Sequence, residues 1–478
     1  MDRKTLDYAI ILLLATMSSA VIFNNLGDST IYSWDEARHA QNALEILKTG
    51  DWVVLNYGGK PDMWNLKPPL GAWLIAVSFK ILGTNEFALR VWSALAGVGT
   101  ITLLYLFGRE MGNRYTGLFA AITLLTAKGF IGYHSARTGD YDAPLAFFIT
   151  LAIFFFYLSR KRKNKAYIIP SAIATALGLM TKGVVGLAPI PVALAYLLYE
   201  RSLKKTVLTR ETAYAAMAFT GITTPWLIAR FLRGSDFFAY MINKDLLRRF
   251  SEPIEGHFGD SAYYLMALDT GLGRYWLILL ITAFAYSLYL ILKRKNKELL
   301  LLSSWITLFM GVFTLAGTKI SWYMVPVYPA ISLLIAYHAG GYAKEISKGR
   351  IKIEGIATIV LLLILAAQSF LTVAAMVQNP SKDRQIESIK DFGEDLSRVN
   401  NLYFQASEEG RKRQSIIFLL SARIKGNVLQ YEKLKSENLA KDDAVITFNA
   451  DTAKAISTNP DYVLVKKNEY ISLFKSRG

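Results

Sequence analysis

The chain has 478 residues, of which 53% are hydrophobic and 13% aromatic, with a formal charge of +17 and no cysteine. Its mean hydropathy is +0.28; so apolar a chain, broken into long runs, implies a polytopic membrane protein rather than a soluble domain. The missing cysteines exclude a disulfide framework, a thiolate nucleophile and a cysteine-based metal site, and the Lys and Arg fall in short runs between apolar segments, the pattern of cytoplasmic loops rather than of a nucleic-acid surface.

In chain order, residues 1–7 are short and charged, and the run 8–23 has no small-x-small cleavage site before Asn24, so a retained first span is expected. Spans are expected near 8–24, 87–108, 115–132, 143–159, 167–182, 184–199, 212–231, 273–292, 299–316, 322–338 and 353–377. The apolar segment 68–82 would reach only about 22 Å as a helix, short of the ~30 Å hydrocarbon core, and reads as interfacial or re-entrant. Basic clusters at 3–4, 109–114, 160–165, 201–210, 293–297 and 344–352 place the intervening turns in the cytoplasm. With that parity the loops 25–86, 133–142, 181–184, 232–272 and 317–322 all lie outside. This one-sidedness argues for an outward-facing active site in a membrane domain of residues 1–378, whose first outer loop is 25–67.

Past Val377 the composition turns polar. Segments 402–405, 427–430, 444–448, 462–465 and 470–474 read as short strands, and 386–399 and 414–423 as helices. A small extracytoplasmic α/β domain over 379–478 is expected. It carries no phosphate-loop or nucleotide fingerprint, and its default role is a cap or docking module.

The outer loops hold the residues that can do chemistry. Asp35 and Glu36 open a helical stretch, where a carboxylate serves equally as a helix cap or as a general base. Arg38 and His39 follow one turn on. Lys67 precedes Pro68-Pro69, which hold the backbone extended and suit an ammonium aimed at phosphate; a snorkelling lysine is the plainer alternative. Arg137, Asp140 and Asp142 share one turn, and the two carboxylates offer ligands to a cation or acceptors to sugar hydroxyls, while Asp142 also fits a cap. Lys182 lies between two apolar helices, where a lone cation is costly without an anion. The loop with Asp245 and His257 is long and mixed in charge. Lys319 and Tyr323 stand at a helix end, where interfacial aromatics are ordinary. Arg38, Lys67, Arg137, Lys182 and Lys319 together suit a lipid-linked phosphate.

The Asp35-Glu36 pair, Lys67-Pro68-Pro69-Leu70, Asp142-Ala143-Pro144-Leu145, Thr181-Lys182-Gly183 and Lys319–Pro326, in this order, resemble the GT-C membrane glycosyltransferases. The nearest groups are the protein O-mannosyltransferases and the lipid A aminoarabinose transferases, and the likeness covers about residues 1–340. It implies about 11–13 transmembrane helices, a polyprenyl-phosphate sugar donor, inversion at the anomeric carbon, and a lipid, glycan or protein acceptor on the outer face of the cytoplasmic membrane. By the same resemblance Asp35 is the leading catalytic carboxylate, joined by Glu36 and Asp142. Arg38, Lys67, Arg137, Lys182, Lys319 and Tyr323 are donor-phosphate ligands, and His39, Asp140, Asp245 and His257 are accessory or acceptor-side groups. Leu66 stands where the aminoarabinose transferases carry a glutamate, and His39 where they usually carry tyrosine; no cofactor is certain, and a divalent cation stays open. The rival class is a transporter or flippase of lipid-linked sugars, marked by matched halves and mid-span charges that do not stand out here.

Overall fold

The computed structural model describes residues 2–349, 353–405, 413–424, 426–431, 439–441 and 443–477; Arg350 and Lys352 of the last basic cluster lie outside the described residues. The chain divides into two compact units: Met1–Asn24, Leu66–Gly71 and Arg90–Asn379 form the first, and Asn25–Asn65, Ala72–Leu89 and Pro380–Gly478 the second. The first outer loop, assigned from sequence to the membrane part, thus groups with the C-terminal residues.

Among the described residues nine helices are long and apolar enough to cross a membrane: Lys4–Phe23, Glu86–Met111, Asp142–Lys161, Lys165–Leu187, Arg210–Leu232, Arg274–Arg294, Lys297–Leu315, Ser321–Ile346 and Ile353–Gln378. The chain is an integral membrane protein. Two expected spans come out short. The 115–132 run becomes Arg114–Leu125 and a separate turn Lys128–Ile131. The 184–199 run becomes a 3-10 segment, Gly183–Leu187, and then Pro189–Tyr199 with proline in its first turn. At 1.5 Å per residue, neither the 12-residue nor the 11-residue helix reaches across ~30 Å. Leu70–Leu82, of 13 residues, is short for the same reason.

Small residues let the membrane helices approach. A side chain on Gly117 would overlap the Tyr105 carbonyl, and one on Gly340 would overlap Thr116. Charges at helix ends are paired. Asp7 accepts from Arg114 at 2.6 Å and Arg109 at 2.9 Å, and Glu200 joins Arg160 at 2.5 Å and Lys297 at 2.9 Å.

The second unit is built on a five-stranded sheet. Its strands are β3 (Leu402–Gln405), β4 (Val428–Tyr431), β5 (Ala444–Thr447), β6 (Tyr462–Lys467) and β7 (Ser472–Ser476), in the order β4-β3-β5-β7-β6. β3 is parallel to β4 and β5, whereas β7 is antiparallel to β5 and β6. All five strands follow the expected segments. The expected 386–399 helix breaks into Arg384–Glu387, a 3-10 turn Ser388–Phe392 and Gly393–Leu396, while Arg413–Ser421 is continuous. Phe392, Phe404, Phe418 and Phe474 are fully buried.

The loop 25–65 is tied into this unit. Thr30 donates to the Glu387 carboxylate at 2.8 Å, its N–H bonds the Ser381 carbonyl at 2.9 Å, and Lys48 donates to the Ser421 carbonyl at 2.9 Å. Glu86 pairs with Lys390 at 2.9 Å, and Phe79 stacks on Phe418.

Candidate active site

In the second unit, Asp35 and Glu36 occupy the first turn of the helix Asp35–Thr49. Trp34, not Asp35, is its cap residue, with φ of 70°, a strained value for a bulky side chain. Glu36 is buried and turns back to accept the Tyr32 N–H at 2.7 Å, satisfying a donor just before the helix. Glu36 is thereby engaged at the start of the helix. Asp35 is only half-buried, and both acids suit the positive end of the helix dipole. His39 is buried on the same helix.

Arg38 is committed to a partner that sequence reasoning missed. Its Nε and Nη2 donate to Asp62 at 2.8 and 2.6 Å, a bidentate pair, and the guanidinium lies 4.1 Å from the Tyr57 ring centre and 4.8 Å from that of Trp64. Asp62 also accepts from Asn42 at 3.0 Å and from the N–H groups of Trp64 and Asn65 at 2.9 and 3.0 Å. Asn65 in turn donates to Asn42 at 2.8 Å. Burial pushes the Asp62 carboxyl up, but the Arg38 hydrogen bonds and charge, with Asn42 and the Asn65 N–H, outweigh it and hold the group below the ordinary carboxylate range. The legible trace was the Asx turn after Pro61, since a buried aspartate followed by bonded N–H groups is a local pattern. Beside it, β1 (Asn56–Tyr57) and β2 (Lys60–Pro61) form a hairpin through Gly58 and Gly59, at φ 65° and 75°. Glu45 accepts from both of those glycine N–H groups.

In the first unit, Asp142 begins the helix Asp142–Lys161 and Lys182 ends Ile168–Lys182. The Lys182 Nζ donates to Asp142 Oδ1 at 2.5 Å, with both side chains largely buried, and stands 5.8 Å from the Tyr323 ring centre. The structure thus brings Asp142, Lys182 and Tyr323 together. Lys67 lies half-buried before Leu70–Leu82, with Pro68 in ordinary contact range of Gly183.

Asp140 is buried, with Oδ1 3.2 Å from His134 Nδ1. His134, also missed from sequence, stacks face to face on Trp322 at 3.6 Å and has φ of 56°. His257 meets the same indole edge-on at 6.2 Å. In this unit the His134–Asp140 pair offers one nitrogen and one oxygen as potential ligands to a cation.

Two of the cations expected on phosphate are engaged by helix-end carbonyls. Arg137 Nη1 donates to the carbonyls of Val21, Ile22 and Asn24 at 3.2, 2.6 and 2.7 Å, closing the end of the N-terminal helix. Lys319 Nζ donates to the carbonyls of Phe313, Thr314 and Ala316 at 3.1, 2.5 and 2.5 Å, closing Lys297–Leu315. Helix C-termini leave four carbonyls without internal partners, and in a low-dielectric setting a buried cation answers them. Asp245 pairs with Arg249 at 3.4 Å, and Arg249 with Glu255 at 3.2 Å. The nearby Tyr323, Glu255 and Asp245 hold the half-buried Arg249 firmly charged against its desolvation. Met241–Arg248, just before it, is π-helical, a rare form frequent at functional sites.

A family model described as dolichyl-phosphate-mannose-protein mannosyltransferase matches residues 66–228. The undecaprenyl phosphate-alpha-4-amino-4-deoxy-L-arabinose arabinosyl transferase of Aeromonas hydrophila is 29% identical over 356 residues, covering 72% of this chain and 63% of its own length. An uncharacterized protein of Aquifex aeolicus is 29% identical over 316 residues, 66% of this chain and 60% of its own. The chain therefore spans about 60% of the length of the curated relatives it matches. Among solved structures, ArnT from Cupriavidus metallidurans bound to undecaprenyl phosphate is similar over 98% of both chains, with a TM-score of 0.73 at 17% identity. The fold is that of the GT-C membrane glycosyltransferases. The archaeal oligosaccharyltransferase AglB from Archaeoglobus fulgidus shares it more distantly, with a TM-score of 0.57 at 14% identity over 89% of this chain and 65% of its own.

Proposed function

We propose that this protein is an inverting glycosyltransferase that moves a sugar from a polyprenyl-phosphate donor to a lipid, glycan or protein acceptor on the outer face of the cytoplasmic membrane. The observation that carries the reading is the GT-C fold over 98% of the chain, with Asp35 held in the first turn of a helix. The acceptor hydroxyl attacks the anomeric carbon as the bond from that carbon to the phosphate oxygen breaks. The proton passes to Asp35, and the leaving polyprenyl phosphate takes the bonding electrons. Lys67 supplies positive charge toward the phosphate, and Lys182, its charge balanced by Asp142, offers its remaining N–H donors; such preorganised groups are worth about 3–4 kcal/mol each in well-studied sites. Phosphate is a good leaving group, so no covalent enzyme intermediate is needed. A flippase would need neither a base at residue 35 nor this fold.

The test incubates purified protein with labelled polyprenyl-phosphate sugars and a membrane extract, and follows sugar gain by mass spectrometry. Asp35→Asn should abolish transfer while donor binding persists. Normal turnover by that variant would remove Asp35 from the chemistry, and failure of the native protein to transfer any lipid-linked sugar would remove the transferase reading.

A further inference from the structure

A second candidate site lies in the first unit, away from the residues assigned to transfer. A cavity of about 280 Å³ opens where the turn after Arg114–Leu125, the start of Arg274–Arg294 and the middle of Ile353–Gln378 meet. It is lined by two cations, Lys128 and Arg274. Among the described residues Lys128 has no ion-pair partner. Arg274 gives one guanidinium N–H to Asp269 at 3.0 Å and leaves its side chain 78% exposed, so most of its donors stay available. Gly273 is the cap residue of its helix; its φ of 99° turns the chain sharply, and it brings no side chain to cap the first-turn N–H groups.

The third wall is the informative one. Ile353–Gln378 is long and apolar enough to cross a membrane, and Leu361, Ile364 and Leu371 on it are 43%, 58% and 69% exposed, as expected of a helix facing hydrocarbon. Yet Gln368 and Thr372, one turn apart on that helix, are also exposed and line the cavity. Ser369 beside them accepts the Trp276 indole N–H at 2.9 Å, holding the two helices at this level. The Thr372 hydroxyl donates to the Gln368 carbonyl at 3.3 Å, so the Gln368 amide is the group that is costly unless something polar covers it. Two cations at one end, amide and hydroxyl groups in the middle and hydrocarbon-facing side chains around them suit one chemistry: a phosphodiester headgroup with hydroxyls, whose acyl chains leave sideways into the bilayer.

We infer that this cavity binds the phosphate headgroup of an anionic glycerophospholipid. The phosphate oxygens accept from Lys128 and Arg274, and the headgroup hydroxyls reach Gln368 and Thr372. The volume admits a headgroup and not a whole lipid. The inference does not depend on the transferase reading, because none of these residues is assigned to the donor or the base.

The test is native mass spectrometry of the purified protein with added phosphatidylglycerol, diacylglycerol or inorganic phosphate. Phosphatidylglycerol should be retained and diacylglycerol, which lacks the phosphate, should not. Interfacial cations each contribute roughly a 5-fold preference for anionic lipid, so Lys128→Gln or Arg274→Gln should lower retention about 5-fold and the double variant about 30-fold. Gln368→Leu, which leaves both charges in place, should weaken retention of phosphatidylglycerol as well. Equal retention by the double variant, equal retention of diacylglycerol, or displacement of the lipid by millimolar inorganic phosphate would each overturn the assignment, the last by showing a site for the free anion.

Discussion

Replacing Asp62 tests the idea that its bidentate pair with Arg38 holds the loop 25–65 in place. The Asp62 side chain is fully buried and accepts five hydrogen bonds, two from Arg38, one from Asn42 and two from backbone N–H groups. Deleting one partner of a buried ion pair typically costs about 3–5 kcal/mol. Arg38 keeps 14% exposure and its two aromatic neighbours, so the lower end, about 3 kcal/mol, applies to Asp62→Ala. Asn at this position keeps the three bonds to Oδ1 if its amide nitrogen takes the Oδ2 place, where it meets the Arg38 Nε and Asn42 donors. Losing those two bonds costs about 2 kcal/mol. At roughly 2–4 °C per kcal/mol, thermal unfolding followed by protease sensitivity of loop 25–65 should fall by about 6–12 °C for Ala and 4–8 °C for Asn. The sign with pH follows from the direction of the shift. The folded carboxyl titrates below its unfolded value of about 3.9, so the stabilisation is complete above pH 4 and drains away as pH falls below it. The gap between native protein and Asp62→Asn should therefore narrow below pH 4. An unchanged gap at pH 3, or an Asp62→Ala protein as stable as the native one, would refute the ionic account.

Lys182→Met leaves Asp142 buried without its partner and should cost about 3–5 kcal/mol, whereas adding Asp142→Asn should restore much of it; a strictly additive double variant, measured by thermal unfolding in detergent, would show the two do not act as a pair. Arg137→Ala should cost about 1–2 kcal/mol of stability through the three carbonyls it leaves unanswered, with donor KM unchanged; a donor KM raised tenfold at unchanged stability would return Arg137 to the phosphate. Gly186→Ala puts a methyl into the Gly178–Leu179 backbone and should cost about 1–3 kcal/mol, read as a lower unfolding temperature, because neither backbone can yield as a side chain would.

The short strands of the second unit were legible because each is a local statement, a few β-branched or aromatic residues between turn residues. Ala444–Thr447 and Leu402–Gln405 fall where that pattern places them. The break at Thr126 and Ala127 was not, since the apolar content of 115–132 is the same whether one helix or two shorter pieces form. Asp142 and Lys182 were singled out for separate reasons, one as a cap and one as a costly lone cation. Each turned out to be the other's answer, 40 residues apart in the chain. His134 escaped notice because a lone histidine beside a tyrosine carries no local signal. Its weight comes from stacking on Trp322 and from an aspartate held 3.2 Å away.

The cations divide by a rule that explains both what was readable and what was not. A positive side chain near a membrane surface can be answered by three kinds of acceptor: a carboxylate, a ligand phosphate, or the bare carbonyls at a helix end. The last are always present and cannot be left dry. Lys319 follows the end of Lys297–Leu315 by four residues, so its capping role was open to local reading; a lysine just past an apolar helix meets that helix's own carbonyls first. Arg137 closes a helix whose last residue, Phe23, lies more than a hundred positions earlier, and no local pattern can announce such a pairing. Counting outer-loop cations therefore overstates the charge left for a donor phosphate. The count must first be reduced by the helix ends that the same loops have to close.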